Sequence, residues 1–305
     1  MAVSFSHQTV LLREAVSILE PREGKVIVDG TLGGGGHSEA LLEAGATVVG
    51  VDRDPRALAA ATLRLKDQPR FRALQGNFGD LESILGREGL LPVQGLLVDL
   101  GISSPQIDEP ERGFSFQKDG PLDMRMGPDA PTAAELIEQS DVETLVGWLR
   151  EYGEEPFAKP IARELKRALP KTTLEAAEAV KRAVPRKAWP KKIHVATKTF
   201  QALRIAVNRE LEALDSLLDA LPRLLVVGGR AAIISFHSLE DRRVKERFKE
   251  LLGQCICPPG MPVCGCGAQG SFELLTRKAI APSEEEIDRN PRARSAHLRA
   301  VEKVR

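Results

Sequence analysis

Three acids stand at the ends of short apolar runs in the first hundred residues, and four glycines follow the first of them. The stretch Val26-Ile27-Val28-Asp29-Gly30-Thr31-Leu32-Gly33-Gly34-Gly35-Gly36-His37 joins an apolar run to a carboxylate and a glycine loop, and a helix pattern begins at Ser38. Strand, glycine loop and helix in that order build a nucleotide-cofactor site at the carboxyl edge of a parallel sheet. Glycines let backbone N–H groups approach a ligand without Cβ clashes. Read from Gly33, the dinucleotide fingerprint Gly-x-Gly-x-x-Gly meets Ser38 at its third glycine, so it is incomplete. A carboxylate at position 29 would repel a pyrophosphate and attract a cation. S-adenosylmethionine carries a sulfonium and an ammonium and no phosphate, so it suits Asp29 better than NAD does. A ligand-free turn with a capping Asp is the plainer reading, but four successive glycines are a costly way to make one.

The other acids repeat the pattern. Residues 47–51 read as a buried strand ending at Asp52, about 20 residues past the glycine loop, where an acid hydrogen-bonds ribose hydroxyls in this architecture. Asp54-Pro55 supplies the helix start that follows, which leaves Asp52 for a ligand. A third strand over 71–75 leads to Gly76-Asn77-Phe78. Phe78 is placed to lie on an adenine ring, with a core phenylalanine nearly as good a reading. The fourth strand, 95–99, ends in Asp99 and runs into Leu100-Gly101-Ile102-Ser103-Ser104-Pro105-Gln106. Polar groups at several strand ends face one crevice, where open α/β sheets bind ligands.

The elements that hold these residues are legible in outline. An amphipathic helix runs to Leu19, with His7 near its entry, and a helix over 38–44 ends before Gly45. From 108 to 131 the chain is rich in Gly, Pro and charge, and from 132 to 185 it reads as helices broken at Gly153, Pro170 and Pro185. One long helix, 195–221, returns to the sheet; Gly228-Gly229 turns it into a fifth strand at 231–235, with Phe236-His237-Ser238-Leu239-Glu240-Asp241 at its edge. Closing strands fall at 272–276 and 295–304. The fold is thus α/β: a sheet domain over 1–107 and 200–305, interrupted at 108–199 by an inserted all-helical domain.

Formal net charge is zero, yet 157–209 holds 14 Lys or Arg against 3 acids, a net of +11 balanced by −11 elsewhere. So lopsided a block is a footprint for a polyanion. No apolar run is long enough to span a membrane, no signal-peptide pattern opens the chain, and the cytoplasm is the expected compartment. Cys255, Cys257, Cys264 and Cys266 form two C-x-C pairs around Pro258-Pro259. A zinc cage and a reduced cytosolic loop are equally good readings, and no metal site is assigned.

Several blocks together resemble one family. They are Val10-Leu11-Leu12 after His7, Asp29-Gly30-Thr31 with Gly35-Gly36-His37, and Asp52-Arg53-Asp54-Pro55. The others are Asp99-Leu100-Gly101-Ile102-Ser103-Ser104-Pro105-Gln106, Arg112-Gly113-Phe114-Ser115-Phe116, Gly120-Pro121-Leu122-Asp123-Met124-Arg125-Met126, Thr199-Phe200-Gln201-Ala202-Leu203-Arg204-Ile205, Ser235-Phe236-His237-Ser238-Leu239-Glu240-Asp241 and Asn290-Pro291-Arg292-Ala293-Arg294-Ser295. Over nearly the whole chain the sequence is similar to the RsmH (MraW) family, bacterial methyltransferases that modify N4 of a cytidine in small-subunit ribosomal RNA. The resemblance implies a class I S-adenosylmethionine-dependent methyltransferase (Rossmann-like) sheet. It implies cofactor contacts at Gly35, Gly36, His37, Asp52, Phe78, Asp99 and Gln106. It also implies small-subunit ribosomal RNA, or the assembling small subunit, as partner; the oligomeric state, a homodimer included, stays open.

The implied chemistry needs an acceptor. The lone pair of an exocyclic cytosine amine is delocalised into the ring, and an acceptor on its N–H localises that pair and takes the proton. Asp99 and the backbone of Ser103-Ser104 are the first candidates, with His237 as an alternative base or an ordering residue. DNA amino-methyltransferases place a Pro-Pro-aromatic turn here. Ser104-Pro105-Gln106 lacks the second proline and the aromatic, so base stacking falls to Phe114 or Phe116. A base held in a duplex cannot reach such a crevice, so the target must be single-stranded or flipped out. Competing readings are an RNA-binding assembly factor with a relic cofactor site, a methyltransferase of another amine, and an NAD-dependent oxidoreductase, which Asp29 disfavours.

Overall fold

The structure, a computed structural model, describes residues 9–253 and 270–305. His7 and the four cysteines of the zinc reading lie outside the described residues. The chain divides into two compact units, Met1–Gly101 with Glu212–Arg305, and Ile102–Leu211.

In the first unit, seven strands among the described residues form one sheet: β1 (Val26–Asp29), β2 (Thr47–Asp52), β3 (Phe71–Gln75), β4 (Val93–Asp99), β5 (Leu225–Ser235), β6 (Phe272–Leu274) and β7 (His297–Lys303). Their order is β3-β2-β1-β4-β5-β7-β6. The strands from β3 to β5 are parallel, and β7 is antiparallel to both β5 and β6. The chain steps outward from β1 to β3 and then returns to the other side of β1 as β4. The order therefore reverses between β1 and β4, which is where a doubly wound sheet opens a crevice. The register sets Asp29 beside Gly50 and Leu97, Asp52 beside Gln75, and Asp99 beside Ile234. All three acids thus end at one edge.

β1, β2 and β4 are largely apolar because both their faces are covered, as central parallel strands require, whereas the edge strand β3 keeps Arg72 and Gln75 exposed. Helices α1 (Leu12–Leu19), α2 (Gly36–Glu43), α3 (Pro55–Arg64) and α4 (Leu81–Arg87) occupy the first half of this unit. Ile27, Val48 and Leu97 bury on one face with Ala15 and Leu19 of α1 and Leu41 and Leu42 of α2. Val28, Val49, Val51, Leu96 and Val98 bury on the other with Leu81, Ile84 and Leu85 of α4.

The second unit holds α5 (Ser104–Asp108), α6 (Ala133–Gln139), α7 (Val142–Glu151), α8 (Ala158–Ala168), α9 (Thr173–Ala183) and α10 (Thr197–Asn208) around its own core. Thr132 and Thr172 begin α6 and α9 with capping boxes to Glu135 and Glu175. The sequence reading starts the insertion at 108 and ends it at 199. The compact unit is longer because Phe200, Leu203 and Val207 of α10 pack into its core.

The single helix expected over 195–221 is two. After α10, Arg209 takes a left-handed conformation at φ 50°, and α11 (Glu210–Leu224) begins. Asn208 explains the break. Its amide donates to Met124 O at 2.7 Å and Arg204 O at 3.0 Å, and its Oδ1 accepts from Met126 N–H at 2.9 Å. The same residues hold Met124 at φ 63°, so the Asp123-Met124-Arg125-Met126 block is a structural turn. The fifth strand also starts earlier than expected. Gly228 and Gly229 lie inside β5, where its pairing with β4 jumps from Val93–Leu225 to Gly95–Arg230. They form a bulge and not the turn out of the helix. Helices α12 (Ser238–Leu251) and α13 (Glu284–Arg289) complete the first unit. No described helix is long and apolar enough to cross a membrane.

Candidate active site

The glycine loop closes over the ends of β1, β2 and β4. Gly33, at φ 50°, donates its N–H to Asp52 Oδ2 at 2.8 Å. Asp52 Oδ1 accepts from Asp54 N–H at 2.8 Å. Asp52 therefore ties the loop to the end of β2, and each carboxylate oxygen keeps acceptor capacity for a ribose hydroxyl. Gly36 opens α2, and a Cβ there would sit 2.0 Å from Thr9 Oγ1. Any larger residue there would force the Thr9 side chain to move.

Asp29 is buried. Ser38 Oγ donates to its Oδ2 at 2.7 Å, and Thr31 N–H reaches its Oδ1 at 3.3 Å. Thr31 Oγ1 in turn accepts from Asp99 N–H at 2.6 Å, which pins the end of β4 to the loop. Thr31 and Ser38 are the site residues that sequence reasoning passed over. Their signal was there, two hydroxyls flanking the glycine run.

Asp99 carries the electrostatic character of the site. Its Oδ1 is buried without a hydrogen-bond partner among the described residues. Its Oδ2 is 3.9 Å from Nδ1 of the buried His37, whose Nε2 lies 3.1 Å from Val10 O. Burial first, then the charges of Asp29 and Glu240, push the Asp99 carboxyl well above the usual carboxylate range. Burial pushes Asp29 up to about 6 against the hydrogen bonds of Ser38 and Thr31. Asp52 is raised by burial against the N–H groups of Asp54 and Gly33. Three crowded acids reluctant to ionise, one with an orphan oxygen, form a place that gains by receiving a cation. The sulfonium and ammonium of S-adenosylmethionine fit that charge.

Phe78 follows β3 in a 3-10 turn, Phe78–Asp80, half-buried against the sheet core. Asn77 caps that turn by accepting Gly79 N–H. His237 caps α12, its Nδ1 accepting from Glu240 N–H at 3.4 Å and its Nε2 3.1 Å from Glu240 Oε1. Glu240 Oε2 also accepts from Phe236 N–H. Nδ1 of His237 is thus engaged at the helix start, which favours its ordering role, while its buried Nε2 lies near Glu240 Oε1 without a hydrogen-bond partner among the described residues. Gly35, Gly36, His37, Asp52, Phe78 and Asp99 all belong to the first unit, where Gly33 of the loop meets Asp52 and His37 faces Asp99. Ser103, Ser104 and Gln106 belong to the second unit, where Gln106 Oε1 accepts from Ser103 N–H at 2.9 Å at the start of α5. Of the two proposed stacking rings, Phe114 is buried beneath the Arg112 guanidinium. Phe116 packs on Phe200 and His194 at 4.7 and 4.6 Å. No cluster of metal-ligating side chains occurs among the described residues.

The family model for the MraW methylase family matches residues 4–304. The chain is 70% identical to Ribosomal RNA small subunit methyltransferase H of Myxococcus xanthus (strain DK1622), over 100% of this chain and 99% of that protein. It is 59% identical to the protein of the same name from Anaeromyxobacter sp. (strain Fw109-5), over the full length of both. Among solved structures, an rRNA methylase from Streptococcus thermophilus aligns over 100% of both chains with a TM-score of 0.43 and 14% identity.

Proposed function

Because the chain belongs to the MraW methylase family, we propose that it methylates the exocyclic N4 amine of a cytidine in small-subunit ribosomal RNA, acting in the cytoplasm. The names of its relatives support the RNA, and the basic segment over 157–209 supports a polyanionic partner. The observation that carries the reading is Asp99, a buried carboxyl at the end of β4 with one oxygen unpartnered beside the glycine loop.

S-adenosylmethionine supplies an electrophilic methyl group on a sulfonium. Gly33 to Gly36 offer it a backbone cradle, Asp52 receives its ribose hydroxyls, and Asp29 and Asp99 answer its positive charge. Phe78 flanks its adenine. The cytosine amine must lie in line with the S–CH₃ bond at near-attack distance. S-adenosylmethionine would supply the methyl group to that nitrogen, and Asp99 Oδ1 is the acceptor that would receive the N–H proton. An acid held above its usual range is a stronger base for that proton once ionised. The backbone of Ser103-Ser104 is the alternative acceptor, and Gln106 is a cofactor contact that the family resemblance implies.

Nucleoside mass spectrometry of small-subunit RNA from cells with and without the protein tests the product; an unchanged nucleoside profile would favour the assembly-factor reading. Asp99→Asn is expected to slow the single-turnover methyl-transfer step at saturating cofactor by about 10²-fold or more. A normal rate would move the acceptor role to the Ser103-Ser104 backbone.

A further inference from the structure

A chain of contacts leads from the far end of the sequence to the glycine loop. Leu11 N–H donates to Glu286 Oε1 of α13 at 2.8 Å, across 275 residues. Leu11 is buried and left-handed at φ 51°, and no side chain of its own caps α1. A leucine in that conformation needs an outside hold. The preceding residue, Val10, presents its carbonyl to His37 Nε2. A carbonyl only accepts, so Nε2 carries a proton, and Nδ1 faces Asp99 Oδ2 at 3.9 Å. Thr9, one residue earlier, fills the space over Gly36. Val10 and Leu11 share a buried cluster with Leu41 of α2 and with Ala293 and Ala296, which follow α13.

We infer that Glu286 is a positioning residue for the cofactor site: it holds the N-terminal turn, whose Val10 carbonyl fixes the ring orientation and tautomer of His37 against Asp99. The inference rests on the reading of the glycine loop as the S-adenosylmethionine site. The carboxylate does not reach the loop itself. It acts through one backbone turn, and the turn acts through one ring. An aligned ring keeps Nε2 on the Val10 carbonyl and Nδ1 toward Asp99; a released ring does neither.

Three variants test this: Glu286→Ala, Glu286→Gln and Glu285→Ala. A glutamine keeps an oxygen acceptor for Leu11 N–H. Glu285 is an exposed neighbour on the same helix, paired with Arg289, and controls for loss of helix charge. Calorimetry reads S-adenosylmethionine affinity, and ¹⁵N NMR of the histidine rings reads the His37 tautomer. Glu286→Ala is expected to weaken the cofactor by roughly tenfold, the scale of one charged hydrogen bond. It should also shift the His37 ring signals toward a tautomer mixture. Glu286→Gln should restore most of the affinity, and Glu285→Ala should match the wild type. If Glu286→Ala lowers thermal stability but leaves affinity and ring signals unchanged, Glu286 is only a structural tie and the inference fails. If the wild type does not bind the cofactor at all, the reading of the loop fails instead.

Discussion

The acids at the strand ends are costly when no cation is near. Asp29 is pushed up to about 6 by burial, and Asp99 well above the usual range by burial and by Asp29 and Glu240. Both folded-state values lie above the unfolded carboxylate value, so the folded protein holds more protons than the unfolded chain. Stability is then fully present below about pH 4 as far as these groups are concerned. It is lost as pH rises through the folded values, near 6 for Asp29, with Asp99, likewise raised, contributing in the same direction. A bound cation favours the ionised forms and draws those values back down. S-adenosylmethionine binding is therefore expected to release protons near pH 6 and to tighten as pH rises through that range. Calorimetry in two buffers of different ionisation heat measures the proton count directly. Equal binding heats in both buffers would show that no carboxylate loses a proton on binding and would sink this prediction.

Helices and strands were readable where a local pattern fixed them. The runs 26–28 and 47–51 are apolar because central parallel strands bury both faces, and the runs 26–29 and 71–75 are each followed by a glycine that marks the end. The acids at 29, 52 and 99 could be placed at one edge for the same reason. The break between α10 and α11 has no such local mark. Asn208-Arg209-Glu210 contains neither glycine nor proline, and the break depends on Asn208 meeting Met124 and Met126, 84 and 82 residues away. Thr31 escaped notice likewise, because its hydroxyl serves Asp99, 68 residues on. What the sequence conceals is the hydrogen bond between segments distant in the chain. Asn208→Ala strips that joint of three hydrogen bonds and leaves buried backbone groups unpaired. It is expected to cost about 2–4 kcal/mol of stability in chemical denaturation. A loss below about 0.5 kcal/mol would mean that packing alone sets the break.

At the scale of the whole molecule, charge is divided between tasks. Much of the positive charge in 157–209 is already answered inside the second unit. Glu164 holds Arg167 and Arg182, Glu138 holds Lys171, and Arg204 is locked on Glu210. The unanswered part is concentrated after α9. Lys187, Lys191 and Lys192 are exposed and make no ion pair among the described residues, while Arg186 lies over the ring of Trp189 at 6.0 Å. Trp189 is anchored by its indole N–H to Val184 O, and Ile193 stands exposed beside the lysines. A fixed ring among free lysines is the surface expected to grip a single strand by its phosphates and a stacked base. Each phosphate neutralised on single-stranded RNA contributes about −0.7 to the log–log salt slope. Reversing both Lys191 and Lys192 to Glu should therefore weaken RNA binding at low salt and flatten the slope by roughly 0.7 for each lysine that meets a phosphate. Fluorescence anisotropy across a salt series reads both quantities. S-adenosylmethionine affinity, measured on the same variant, should hold at the wild-type value, since neither lysine is part of the glycine loop or of the strand-end acids. A salt slope that does not move would make this segment a solubilising surface and return the phosphate contacts to Arg292 and Arg294, which precede β7.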